Sequence, residues 1–169
     1  MTHTLSILVE NKPGALARVA TLFARRAYNI ESLAVGPTER AGVSRIVMRV
    51  DCSTTSLEQI EKQIHKLVNV LRVSELEPDQ ALERELALIK VAAAPDRRAE
   101  LMALADVFQA RVADLGPDAL VFEVVGSSEE LDAFEELVRP HGIKEMSRTG
   151  RIGLARASAR RPPRQRVLV

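Results

Sequence analysis

The residue types that most often carry out chemistry are few and scattered in this sequence. The three histidines, His3, His65 and His141, lie in different segments, and the one cysteine, Cys52, has no base beside it. The sequence shows no metal-ligand spacing, no Gly-x-Ser-x-Gly nucleophile elbow, no phosphate-binding loop and no dinucleotide fingerprint. We therefore predict a chain without an active site of its own.

One turn has the physical properties of a binding site. The segment Asn11-Lys12-Pro13-Gly14 separates an alternating apolar stretch, Thr4 to Glu10, from residues with helical spacing. Free backbone N–H groups and the helix dipole at a helix start favour an anion, so the turn suits a carboxylate. Gly14 leaves room for close approach, and the Asn11 amide can both donate and accept. The alternative is an ordinary capped helix start, with Asn11 as N-cap and Pro13 in the first helical turn.

The segments around this turn predict the order βαββαβ. The first helix carries Leu16, Val19 and Phe23 on one side and is expected to end near residues 25–27. The other predicted segments of this half are a strand at 30–35, a strand at about 46–50, a helix opened by the capping box Thr55-Ser56-Leu57-Glu58, and a strand at 70–76.

The second half repeats this scheme more loosely. Its predicted segments are a strand at 86–91, a helix at about 101–108, strands at 112–115 and 120–125, a helix opened by the capping box Ser127-Ser128-Glu129-Glu130, and extended chain from Ile143. Two βαβ units in this order form a four-stranded antiparallel sheet with both helices on one face. The predicted fold is therefore α+β, with two ferredoxin-like βαββαβ domains.

The expected boundaries are a domain at 1–77, a linker at 78–82, a second domain at 83–157 and a basic Arg/Pro-rich tail at 158–169, predicted to be disordered. Each domain is small and leaves one sheet face uncovered. The outward positions include apolar residues such as Leu8 and Val47. We therefore expect a partner to extend or cover the sheets, most simply a twofold copy of the chain.

Composition limits the other function classes. The 169 residues are 46% apolar and carry 24 basic and 23 acidic side chains, which argues against wholesale disorder and against a general preference for polyanions. Only Phe122 among the aromatic residues falls on a predicted strand, so a base-stacking surface for RNA is missing. No apolar run is long enough to span a bilayer, and a single cysteine fits a reducing cytoplasm.

Several blocks of the sequence resemble a known family. The run from Leu5 to Val19 resembles the opening of an ACT domain, a small module that senses amino acids. Together with the runs 25–33, 57–68 and 84–91, in this order, the chain resembles the small regulatory subunit of acetolactate synthase (acetohydroxyacid synthase). The resemblance extends from about Thr4 to Leu154 and identifies the predicted domain 1–77 as the ACT domain.

The resemblance implies a non-catalytic subunit in the synthesis of valine, leucine and isoleucine. Such a subunit binds a catalytic subunit, raises its activity and confers feedback inhibition by a branched-chain amino acid, usually valine. Thiamine diphosphate, Mg and FAD are then expected on the catalytic subunit, and no cofactor is expected in this chain. ACT domains of this kind pair side by side as dimers, with the effector at the dimer interface.

Carried onto this sequence, the resemblance places the turn from Asn11 to Leu16 of one copy against Asn29 and Ile30 of the other. The backbone N–H groups around Gly14 and Ala15, next to Pro13, would bind the carboxylate. Asn11 and Asn29 would orient the polar end of the ligand, and Leu16 and Ile30 would line its apolar side chain.

The sequence also departs from the family pattern. Ala27 stands where a glycine is common, so a positive φ there would alter the helix exit that leads to Asn29. Ala17 replaces a common serine. Three other functions stay open at this point: a stand-alone amino-acid-responsive ACT regulator, a small enzyme, and a nucleic-acid binder acting through the tail.

Overall fold

The computed structural model describes residues 2–53 and 55–159, which form two compact units. One unit contains the described residues up to Glu83 and those from Gly150 to 159, and the other contains Arg84–Thr149. The elements are β1 (Thr2–Glu10), α1 (Ala15–Arg25), β2 (Ile30–Pro37), β3 (Val43–Asp51), α2 (Leu57–Ile64), β4 (Val70–Leu76), β5 (Ala81–Ala92), α3 (Arg98–Val107), β6 (Arg111–Leu115), β7 (Ala119–Gly126), α4 (Ser128–Val138), a 3-10 turn (Arg139–His141), β8 (Ile143–Arg148) and β9 (Ile152–Ala155). Within the described ranges, no helix has the length and apolarity that crossing a membrane requires.

The first unit has the predicted ferredoxin-like arrangement. Its sheet has the strand order β2-β3-β1-β4 with antiparallel neighbours, and Ile7 of the central strand β1 lies opposite Ile46 on one side and Val73 on the other. The alternation of β1 turns Leu5, Ile7 and Val9 toward the helices, where they are at most 2% exposed. They pack in one core with apolar residues of α1 and α2. Each such side chain contributes about 1.5–3 kcal/mol by leaving water.

The other face of this sheet is partly covered by the chain itself. Val47, which we expected to face another copy, is only 3% exposed and forms a small cluster with Leu76 and Ala81. Strand β9 pairs with β5, and a Cβ added to Gly153 would lie 2.8 Å from Leu76 Cδ1. Glycine at 153 therefore lets the last described strand approach this cluster closely, and Val47 needs no second copy to be covered.

The second unit repeats the topology, with the strand order β6-β7-β5-β8. Its core includes Phe122 and Phe134, whose rings pack edge to face with centroids 5.7 Å apart. The predicted capping box of α4 is present, because Ser127 Oγ accepts from the Glu130 N–H at 3.2 Å and the Glu130 carboxylate accepts from the Ser127 N–H at 2.7 Å. Both halves therefore confirm the predicted fold class.

Three ion pairs, called here the ion pairs of the second sheet, join exposed or half-buried side chains of this unit, two of them between strands and one between β8 and the turn before β7. They join Lys90 to Glu145 at 2.7 Å, Arg111 to Glu123 at 2.7 Å, and Lys144 to Asp118 at 2.6 Å. In each pair the hydrogen bond from the cation is the main reason why the carboxyl pKa is lower than usual.

Two predicted helix starts are wrong. Helix α1 begins at Ala15 with Gly14 as its N-cap, so Asn11 is not the cap and Pro13 is not in the first helical turn. The reason is that Gly14 adopts a left-handed φ of 84°, which sets the helix direction without a side-chain cap from any described residue. For α2 the capping side chain is that of Ser56, which accepts from the Gln59 N–H, rather than that of Thr55.

The boundaries also differ from the predicted ones. Ala81 and Leu82, expected in the linker, already belong to the twelve-residue strand β5. Residues 150–159 cluster with the first unit instead of the second, because the Arg151 N–H donates to Ser32 Oγ at 3.4 Å and the Arg156 N–H donates to the Gln80 carbonyl at 2.7 Å. Of the predicted tail, residues 160–169 lie outside the described part of the chain.

Candidate functional site

The turn between β1 and α1 is held by backbone hydrogen bonds. The Asn11 N–H donates to the Gly42 carbonyl of the β2–β3 turn at 2.8 Å, and the Lys12 N–H donates to the Glu10 carbonyl at 2.8 Å. The Ala15 N–H donates to the Lys12 carbonyl at 3.2 Å. These bonds fix the path of the chain into α1 even though no described side chain caps that helix.

The start of α1 leaves backbone donors free. The first helical hydrogen bond runs from the Arg18 N–H to the Gly14 carbonyl at 3.0 Å, so the preceding N–H groups of Leu16 and Ala17 have no acceptor within the helix. The first turn of the helix contains no acidic residue. A Cβ placed on Gly14 would meet no atom within 4 Å. This helix start is therefore open, electropositive and suited to a carboxylate.

The predicted ligand-binding residues of the turn are mostly accessible. Asn11, Pro13 and Gly14 are exposed, and the Leu16 side chain is 40% exposed. Ala15 is buried against the first core, and its N–H is already bonded to Lys12. The free amides of this turn therefore include those of Leu16 and Ala17, one and two residues beyond the predicted pair.

Asn29 and Ile30 lie at the opposite end of α1 from the turn. The Asn29 side chain is exposed, while its carbonyl accepts from the Asp51 N–H at 3.2 Å. Ile30 begins β2 and packs against the first core. Because α1 has 11 residues, its two ends are separated by about 16 Å. A single copy of the chain therefore does not bring the two predicted halves of the site together.

The helix exit before Asn29 has the backbone geometry of a glycine position. Ala27 has a φ of 55°, and the Tyr28 N–H donates to the Phe23 carbonyl at 3.0 Å, which closes the end of α1. The rings of Phe23 and Tyr28 pack edge to face with centroids 5.6 Å apart. The exit is thus retained with alanine, at a strain of about 1–2 kcal/mol for a left-handed L-residue.

Strand β2 is an edge strand beside this exit. In the sheet of the first unit it pairs with β3 on one side only. Leu33 and Val35 are 36% and 47% exposed along it. An edge strand with exposed apolar side chains offers backbone and side-chain groups to another chain.

A polar network that the sequence analysis missed flanks the turn. Asn69 Nδ2 donates to Glu10 Oε2 at 2.7 Å, and Asn69 Oδ1 accepts from Arg18 Nη1. Lys12 Nζ lies 3.1 Å from Glu10 Oε1. The hydrogen bonds from Asn69 and then Lys12 lower the pKa of Glu10 below its usual value. The only signal in the sequence is a polar residue directly before the apolar strand β4, and Asn69 is 59 positions from Glu10.

The groups first considered for catalysis lie elsewhere. His3 Nδ1 is 2.6 Å from a carboxylate oxygen of Glu75, and burial is the main reason why the pKa of Cys52 is raised. His65 lines a cavity of about 380 Å³ whose walls include four glutamates, Glu58, Glu61, Glu75 and Glu77. That lining disfavours an anionic ligand. In residues 2–53 and 55–159, no group of three or more His, Cys, Asp or Glu side chains has the arrangement of a metal site.

Comparison with known families gives two matches that together span most of the chain. Residues 5–72 match the family described as the AHAS small subunit-like ACT domain, and residues 84–157 match the small subunit of acetolactate synthase. The match to the first family covers the turn, helix α1 and strand β2.

Individual relatives agree with these families. The chain is 46% identical to a probable acetolactate synthase small subunit of Archaeoglobus fulgidus, over 94% of this chain and 99% of that protein. It is 45% identical to the acetolactate synthase small subunit of Mycolicibacterium smegmatis, over 92% of this chain and 91% of that protein. The crystal structure of the acetolactate synthase small subunit of Thermotoga maritima superposes with a TM-score of 0.86 at 39% identity, covering 92% of this chain and 98% of that one.

Proposed function

The chain belongs to the family of acetolactate synthase small subunits, and from this membership we propose that it activates a catalytic subunit and makes it sensitive to valine or another branched-chain amino acid. The proposed effector site is the open start of α1 in one copy, facing the exit of α1 and the start of β2 in a second copy. A small subunit implies a large, catalytic partner.

One observation carries the effector proposal. The N–H groups of Leu16 and Ala17 are free at a helix start where Gly14 presents no side chain. Such a site can bind the carboxylate of an amino acid, and the exposed Asn11 and Asn29 amides can accept from its ammonium group. The apolar surface of Leu16 and Ile30 selects an aliphatic side chain over a charged one.

The requirement for a second copy follows from the length of α1. Its two ends are about 16 Å apart, which is too far for one small amino acid to bridge within one chain. The unpaired edge of β2 gives a second copy a place to dock beside the helix exit. A ligand bound between the two copies then favours one relative arrangement of them.

Modest affinity is sufficient for regulation. A dissociation constant of about 0.1 mM corresponds to roughly 5–6 kcal/mol. Only the difference in affinity between two states of the assembly regulates, and this difference is typically about 1–3 kcal/mol. The proposal therefore requires valine to bind one dimer arrangement about 5- to 150-fold more tightly than the other.

The remaining parts of the proposal concern the assembly. Thiamine diphosphate, Mg and FAD are assigned to the catalytic subunit and none of them to this chain. The single cysteine fits a reducing compartment, and we place the assembly in the cytoplasm.

Reconstitution with the catalytic subunit tests the proposal. Acetolactate formation is measured with and without this chain, and then over a valine, leucine and isoleucine titration. We expect activation by the chain and inhibition by at least one of the three amino acids. Gly14→Asp should abolish the inhibition, because it adds bulk and negative charge where the carboxylate binds.

A matched control separates this effect from backbone strain. Gly142 also has a positive φ, of 94°, and lies in the second unit, so Gly142→Asp carries similar strain far along the chain from the turn. Inhibition that survives in Gly14→Asp would place the effector elsewhere. Failure to bind or activate any catalytic subunit, with the amino-acid response intact, would favour the stand-alone regulator instead.

A further inference from the structure

Asn69 occupies an unusual position for a polar side chain. It is only 8% exposed and directly precedes β4, and its backbone and side chain both bind the end of β1. The Asn69 carbonyl accepts from the Glu10 N–H at 2.9 Å, and Asn69 Nδ2 donates to Glu10 Oε2 at 2.7 Å. The residue before the Asn11–Gly14 turn is therefore bound to Asn69 through two separate hydrogen bonds.

The same side chain also reaches the helix that follows the turn. Asn69 Oδ1 accepts from Arg18 Nη1, and Arg18 is the residue whose N–H makes the first hydrogen bond of α1, to the Gly14 carbonyl. One carboxamide thus uses its donor on the strand before the turn and its acceptor on the helix after it. Asparagine is suited to this bridge because its amide offers both functions from one planar group.

We propose that Asn69 is a positioning residue of the effector site, which holds Glu10 and Arg18 at a fixed separation so that the free amides of the turn stay aimed at the ligand carboxylate. The inference rests on the proposed function of the turn. Asn69 does not contact the ligand. It acts by keeping the two flanks of the Asn11–Gly14 turn in one arrangement, which reduces the ordering that the ligand must otherwise impose.

The bridge has a direction that mutation can reverse. In the native pair, residue 69 donates and residue 10 accepts. In Asn69→Asp, two carboxylates face each other across the 2.7 Å contact with no hydrogen between them, although the bond from Arg18 is kept. In the double variant Glu10→Gln with Asn69→Asp, residue 10 donates and residue 69 accepts, so the bridge is restored with its polarity exchanged.

The experiment is a mutant cycle on the reconstituted holoenzyme. The inhibition constant for valine and the activation without valine are measured for wild type, Asn69→Asp, Glu10→Gln and the double variant. We expect Asn69→Asp to raise the inhibition constant about tenfold and the double variant to return it to within about threefold of wild type. Inhibition is expressed relative to the uninhibited rate of each variant, and circular dichroism reports that all four fold.

Two further variants complete the design. Asn69→Ala removes the bridge and should weaken inhibition without rescue by Glu10→Gln. The matched control is Gln80, which also donates to a glutamate, Glu77, at 3.3 Å but lies after β4 and outside the turn. Gln80→Glu makes the same amide-to-acid change and should leave the inhibition constant unchanged.

The outcomes distinguish the two proposals. If valine inhibits the wild type, and inhibits Asn69→Asp and Asn69→Ala equally well, the role of Asn69 is overturned while the proposed effector site is retained. A double variant no better than Asn69→Asp alone also overturns it, because the side-chain bridge would then not be the cause. If the wild type itself is insensitive to all three branched-chain amino acids, the proposed function fails and this inference fails with it.

Discussion

Replacing Ala27 by glycine should stabilise the first unit. Ala27 has a φ of 55° at the exit of α1, and its side chain is exposed, so removing the methyl group costs little packing. The hydrogen bond from the Tyr28 N–H to the Phe23 carbonyl requires this left-handed residue. Glycine adopts the same backbone conformation without steric penalty.

The expected magnitude is the difference between two opposing effects. Relief of the left-handed strain contributes about 1–2 kcal/mol to the folded state. The greater freedom of glycine in the unfolded chain offsets about 0.4–1 kcal/mol of that. The free energy of unfolding should therefore rise by about 0.5–1 kcal/mol, which corresponds to a Tm about 1–4 °C higher for a chain of this length.

Urea unfolding followed by tyrosine fluorescence measures this change directly. The chain has one tyrosine and no tryptophan, and Tyr28 lies in the first unit beside the substitution. The matched control is Ala24→Gly, an exposed alanine inside the same helix, which should lose about 1 kcal/mol because glycine is a poor helix former. If Ala27→Gly lowers the midpoint as Ala24→Gly does, the strain at residue 27 is not real.

Three further outcomes are expected. Ser127→Ala removes the N-cap of α4 and should cost about 1 kcal/mol in urea unfolding monitored by circular dichroism, while the exposed Ser147→Ala should change little. Below about pH 4 the free energy of unfolding should fall, because the ion pairs of the second sheet lower the carboxyl pKa values in the folded state. The unfolded state then binds more protons than the folded state as the pH decreases. Replacing Asp118, Glu123 and Glu145 by their amides should reduce this loss of stability at low pH. Burial raises the pKa of Cys52, so iodoacetamide at neutral pH should modify the native protein more slowly than the urea-unfolded chain, and equal rates would contradict that burial.

The regular elements were predictable because their signal is periodic and local. The alternation of Leu5, Ile7 and Val9 predicted which face of β1 is buried, and residues 70–76 form a strand with the predicted limits. Helix α4 began at its predicted capping box. In these segments the hydrophobic pattern and the local hydrogen bonds favour the same structure.

The first residue of α1 could not be predicted from the preferences of residue types for the N-cap position. Asparagine is a favoured N-cap, yet the Asn11 N–H is bound to the Gly42 carbonyl, whose position depends on the pairing of β1 with β3. That pairing fixes the turn and leaves Gly14 to begin the helix. The prediction that this turn leaves backbone N–H groups free at a helix start did not depend on which residue is the cap, and its role as a binding site stays a prediction.

Contacts between residues far apart along the chain could not be predicted from the sequence. Asn69 meets Glu10 across 59 positions, and β9 pairs with a strand that begins some 70 residues earlier. Neither segment has a composition that distinguishes it from an ordinary connection. The expectation that two copies form the effector site, in contrast, came from the family resemblance and stays a prediction; within one copy, the two proposed halves lie at opposite ends of α1.

The second unit is an insertion within the chain of the first unit. The chain leaves the first unit after Glu83 and re-enters it at Gly150, and the crossing is closed by hydrogen bonds between Leu86 and Thr149 at 2.9 and 3.0 Å. A stop codon after residue 83 would therefore delete β9 and expose the apolar surface of Leu76 that this strand approaches, which favours aggregation. Excising residues 84–149 and rejoining the ends with a short glycine-serine linker would keep that strand and give a minimal form of the first unit.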